Sequence, residues 1–96
     1  MATFITTIQF TEQGIREIAQ TSKRATAFET AARQAGAKVL HQYWMLGEYD
    51  GLIVYEAQDD EAAATLMMRL GALGNVRTKT SRAFTALEMT KVLAGM

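Results

Sequence analysis

The stretch Gly47-Glu48-Tyr49-Asp50, followed at once by Gly51-Leu52-Ile53-Val54-Tyr55-Glu56, decides the fold. Glycine permits a chain reversal that other residues resist. An aspartate in a turn bonds nearby backbone N–H groups through its carboxylate. The run Leu52-Ile53-Val54-Tyr55 has the β-branched and aromatic composition of a strand. The stretch therefore reads as a tight connection delivering the chain into a strand. Residues 37–46, rich in Val, Tyr, Trp and Leu, supply the strand before it, so the two form a hairpin.

Toward the N-terminus, alternation of Phe4, Thr6 and Ile8 with Ile5, Thr7 and Gln9 predicts a strand over residues 3–10. Thr11 is placed to cap a helix, with Glu12 near its positive end. Ile15, Ile18 and Ala19, then Ala25, Phe28, Ala31, Ala32 and Ala35, mark apolar helical spacing. Thr21-Ser22 interrupts it and offers a second cap, so a long or broken helix spans about residues 12–35, ended by Gly36. Toward the C-terminus, Asp59, Asp60 and Glu61 load a helix start with negative charge. Ala63, Leu66, Met67 and Leu70 give that helix its buried face. Val76 to Phe84 reads as a fourth strand. Thr85 and Glu88 then stand at capping-box spacing before a short final helix with an apolar face of Met89, Val92, Leu93 and Met96. The order β-α-β-β-α-β plus a C-terminal helix predicts an α+β, ferredoxin-like single domain over residues 1–96. Right-handed crossovers put both helices on one face of a four-stranded antiparallel sheet.

The other face then has to be polar in a monomer, and it is not. Leu52 to Tyr55 are consecutively apolar. In the second strand, His41, Tyr43 and Met45 share one face, and Leu40, Gln42, Trp44 and Leu46 the other, both substantially apolar. An apolar sheet face of a few hundred Å² marks an interface. Two arrangements meet that demand: a homodimer with sheets packed face to face, or a monomer whose C-terminal helix folds across the free face.

Composition excludes several classes. Ten basic and ten acidic residues give zero net charge, without the basic excess that nucleic-acid binding needs. An RNA recognition motif shares the element order but needs a basic, glycine- and aromatic-rich third strand; here it is aliphatic and ends on Glu56. There is no cysteine, hence no disulfide, thiolate metal site or cysteine nucleophile. That favours a reducing, cytoplasmic setting. Residues 1–7 lack the charge and apolar run of a signal peptide, and no run approaches a membrane span. With His41 as the only histidine, no zinc-type site can be assembled, and no cofactor motif is present.

The turn Gly47-x-Tyr49-Asp50, the acidic run Asp59-Asp60-Glu61, the segment Gly71-Ala72-Leu73-Gly74-Asn75-Val76-Arg77-Thr78 and Arg82-Ala83-Phe84 together resemble the GYD domain family. The likeness runs from about Thr11 to Phe84, most specifically from Leu46 onward. One departure is Lys23, where the family often has a proline. The resemblance implies a dimeric α/β barrel in which two ferredoxin-like units pack together. It implies no activity, because the family has no established common one.

Six residues are candidates for ligand binding. His41 and Tyr43 lie on the second strand, Tyr49 and Asp50 in the turn, and Arg77 and Arg82 on the last strand. Each also has a structural reading. His41 can hydrogen-bond at the sheet surface, Tyr49 can pack beneath the sheet edge, and Asp50 can hold the turn. The loop Gly71-x-x-Gly74-Asn75-x-Arg77 can cradle an anion, but it leads from helix to strand, the reverse of a phosphate loop. Arg82 can equally pair with Glu56 or Glu48. No nucleophile–base or carboxylate pair has diagnostic spacing, so no catalytic residue is assigned and an enzyme rests on fold analogy alone. The leading expectation is a small-molecule binding or regulatory module using a dimer cavity. A protein–protein assembly module and a metal-free enzyme are the alternatives.

Overall fold

Strand β3 (Gly51–Ala57) is interior to the sheet, between β2 (Lys38–Trp44) and β1 (Ala2–Phe10), with β4 (Val76–Ala83) on the far side of β1. All three pairings are antiparallel. This is a computed structural model, and it describes residues 1–96. The remaining elements are α1 (Glu12–Arg16), a 3-10 turn (Ile18–Gln20), α2 (Thr21–Gln34), α3 (Asp60–Ala72) and α4 (Ala86–Ala94). The chain is thus α+β and ferredoxin-like, with a C-terminal helix added. No helix is long and apolar enough to cross a membrane.

The register assigns every strand residue to a face. On the helix side, one row runs Val39–Tyr55–Phe4–Arg82 and the next Gln42–Ile53–Thr6–Thr80. On the other side run Lys38–Glu56–Thr3–Ala83, His41–Val54–Ile5–Ser81 and Tyr43–Leu52–Thr7–Lys79. Strand β3 obeys period two: Gly51, Ile53, Tyr55 and Ala57 are buried, while Leu52, Val54 and Glu56 are half-buried. Its apolar run therefore serves both faces of the sheet.

The core lies between the sheet and α2 and α3. Phe4 stacks on Tyr55, ring centroids 5.6 Å apart, and Phe28, Ala32, Ala63, Leu66 and Met67 close over them. Thr6 is fully buried, and its hydroxyl is paired with Thr80 Oγ1 at 2.8 Å and with Met67 Sδ at 3.4 Å. The Tyr55 hydroxyl is buried without a partner.

Caps explain the helix starts. Thr11 accepts from the Gly14 N–H, Asp59 from Ala62, and Thr85 with Glu88 forms a complete capping box. The expected second cap at Thr21-Ser22 is absent. Helix α2 grows directly out of the 3-10 turn with no side-chain cap, and the Thr21 hydroxyl instead accepts from the Trp44 indole N–H at 3.0 Å.

Candidate functional site

The six candidate residues fall in three separate places. His41, Tyr43 and Arg77 lie on the sheet face opposite the helices, but β2 and β4 are its two outer strands. His41 stacks on Tyr43 with ring centroids 6.0 Å apart and nearly parallel planes, and makes no ion pair. Between them and Arg77 stretch Leu52, Val54, Ile5 and Thr7. No helix of this chain crosses that surface. It is an apolar strip with an aromatic edge at β2 and a cationic edge at β4.

Tyr49 and Asp50 sit in the connection between β2 and β3. Gly47 takes φ +119° there, a left-handed conformation that suits glycine. The Asp50 N–H donates to the Ile8 carbonyl at 2.8 Å, and its carboxylate accepts the Phe10 N–H at 2.8 Å. Its side chain thus extends the β1–β3 ladder beyond its last residue pair, Ile8 with Gly51. Asp50 does hold backbone N–H, as its residue type suggests, but on a neighbouring strand.

Arg82 faces the opposite way from His41. It lies on the helix side, its guanidinium 5.7 Å from the Phe4 ring and 4.5 Å from the Phe84 ring. Its acidic partner is Glu88 of α4 at 3.7 Å, in place of Glu56 or Glu48. The capping-box bond from the Thr85 N–H holds the Glu88 carboxyl below the usual carboxylate range, aided by the Thr85 hydroxyl and Arg82. Arg82 therefore ties the start of α4 to the sheet and does not share a pocket with His41.

The glycine loop is likewise occupied by its own chain. Carbonyls of Leu73, Gly74 and Asn75 accept from Gln13, the Thr11 hydroxyl and the Thr11 N–H. A Cβ at Gly14 would lie 2.0 Å from the Asn75 oxygen, so α1 is seated directly on this loop. Its carbonyls are thus taken up by α1 and its cap and are not free for a ligand. Nor do any three His, Asp or Glu side chains gather as a metal ion needs.

Two features were not anticipated. The first is a cleft of about 400 Å³ between α2 and α3, above the sheet. The helices barely touch each other, because α2 presents Ala25, Ala27 and Ala31 to the gap. Ile8, Ile53, Leu66 and Leu70 contribute its apolar surface, and Tyr43 and Asp50 border it. The alanines of α2 are its trace in the sequence, and they read equally well as tight packing. The second is α4. Leu87 is 72% exposed and Leu93 52%, with Met89 and Val92 also open, and no residue of this helix is buried. It folds across neither face of the sheet, so the apolar strip stays open.

Comparison with known proteins adds two findings. The GYD domain model matches residues 4–93. The chain is also 31% identical over 90 residues to a Thermus thermophilus protein called "Glutamine synthetase and cystathionine beta-lyase binding protein", covering 93% of this chain and 95% of that one.

Proposed function

The chain belongs to the GYD domain family, and we propose that it is a homodimeric, cytoplasmic binding module that attaches to metabolic enzymes and regulates or organises them. The observation that carries this is α4. A nine-residue helix is marginal in water unless it packs on something. This one carries a complete N-terminal capping box and is apolar on one side, yet none of its residues is buried within its own chain. Its packing partner is then another molecule.

The sheet strip serves the second copy. Its centre, Ile5, Leu52 and Val54 beside the threonine Thr7, is mostly apolar and can meet its own copy about a two-fold axis, as a dimer interface must. Association through the sheet edges is disfavoured. Strand β4 carries Arg77, Lys79 and Arg82, and β2 has a bulge between Val39 and His41; both features guard edges against strand addition. Face-to-face packing remains. It buries the strips and leaves α4, at the end of an outer strand, for an enzyme. The relative's name supports a protein as the thing bound. It shifts weight from a ligand in a dimer cavity to protein binding.

The test is direct binding of the full chain, by biolayer interferometry, to glutamine synthetase and cystathionine β-lyase of the same organism. Binding to at least one of them, weakened about tenfold or more in Leu87→Glu/Leu93→Glu, fits the proposal, since tenfold is only about 1.4 kcal/mol. No binding to either enzyme, or undiminished binding by the double variant, contradicts it.

A further inference from the structure

The cleft between α2 and α3 opens on the helix side of the sheet and meets the strip only at the β2–β3 edge, where Tyr43 and Leu52 border both. Its walls are almost wholly apolar, and charge is confined to few residues. Two of these are arginines on opposite helices, Arg24 on α2 and Arg69 on α3. Neither has a carboxylate partner. The chain's two ion pairs are Arg16–Glu12 and Arg82–Glu88, and Arg24 is anchored only by the carbonyls of Glu17 and Gly14. The carboxylates nearby are committed: Asp50 accepts from the Phe10 N–H and Glu29 from the Gln42 amide. In a chain of zero net charge, two uncompensated guanidinium groups thus flank one apolar cleft. A guanidinium recognises a carboxylate with paired, charge-assisted hydrogen bonds.

We propose that this cleft binds a small hydrophobic carboxylic acid, its aliphatic or aromatic body between α2 and α3 and its carboxylate on Arg69 and Arg24. At interior packing density, about 400 Å³ takes roughly a dozen non-hydrogen atoms, within the ordinary range of ligand pockets. The small residues Ala27, Ala31 and Gly51 leave the room. The site gives the module a metabolite input whose charged groups, Arg24 and Arg69, lie outside its protein-binding surfaces.

Trp44 is the chain's single tryptophan and borders the cleft, so its fluorescence reports occupancy. The experiment titrates the full chain with sodium octanoate and with neutral octanamide, following Trp44 emission and the thermal midpoint. Octanoate should shift the emission and raise the midpoint, with octanamide binding about tenfold more weakly. Arg69→Gln changes an exposed side chain with no intramolecular partner. It should fold normally and bring the two probes within about threefold of each other. Ala31→Phe, filling the cleft, should abolish both signals. Absence of any octanoate response overturns the proposal, as do equal affinities for the two probes in the wild-type protein. An octanoate affinity that falls as protein concentration rises also overturns it, by giving the cleft to a helix of a second copy.

Discussion

Asp50→Ala removes one acceptor and leaves the Phe10 N–H, part-buried at the end of β1, with nothing to donate to. The bond it breaks is 2.8 Å long. Hydrogen bonds to charged groups contribute about 1.5–3 kcal/mol, and an orphaned donor adds its desolvation cost. A loss of about 2 kcal/mol is expected, and at about 4–8 °C per kcal/mol for a domain of this size the midpoint should fall by about 8–16 °C. Asp50→Asn keeps an acceptor oxygen and should lose about half as much. The assay is urea unfolding followed by far-UV circular dichroism, at one fixed protein concentration because association contributes to apparent stability. The main-chain bonds of residue 50 to Ile8 and Met45 stay in both variants, so the difference isolates the carboxylate. Asp50→Ala within about 0.5 kcal/mol of wild type, the range of inconsequential surface changes, would refute this reasoning and return Asp50 to the list of ligand-binding groups.

Three further outcomes follow from the same structure. Gly14→Ala forces a Cβ to within 2.0 Å of the Asn75 oxygen and should cost at least about 2 kcal/mol by overpacking against main chain, read from the urea midpoint. Tyr55→Phe removes a buried hydroxyl that has no partner, so stability should be unchanged or higher by up to about 1 kcal/mol, a result a denaturation curve decides. The capping-box bond from the Thr85 N–H holds the folded pKa of Glu88 below its ordinary value. Its contribution to α4 is therefore present at neutral pH, and is lost as pH falls below the ordinary carboxylate range and through the lowered folded value. Carbon chemical shifts of residues 86–94 should show α4 fraying in that window in the wild type, with the pH dependence gone in Glu88→Ala.

Much of this was readable from local chemistry. Thr11, Asp59 and the Thr85/Glu88 pair cap helices where their spacing puts them, because capping is a property of four consecutive residues. Strand β3 was readable for a similar reason. What depended on long-range register was not. The bulge between Val39 and His41 has no composition signal, yet it puts Val39, Gln42 and Trp44 together on the helix side. Which way Arg82 faces is set by its pairing with Phe4, 78 positions away by their numbering, and that pairing separates it from His41. The six candidates therefore do not converge. Residue types suited to binding can be picked out in sequence, while whether they share a location is a tertiary property. Thr21 looked like a cap in sequence and became the acceptor for Trp44 in three dimensions. The cleft escaped notice because alanines that leave space look the same in sequence as alanines that pack tightly.

Sedimentation equilibrium of the wild-type chain beside Val54→Lys decides whether the uncovered sheet strip is a built interface. Val54 lies at the middle of the strip, between His41 and Ile5, and a lysine there is tolerable only if the face is open to water. The wild type should sediment at twice the chain mass of 10.6 kDa, and a Val54→Lys variant that remains folded by circular dichroism at the single-chain mass. A wild-type protein that sediments as a single chain, or a Val54→Lys variant that remains a dimer, would contradict it.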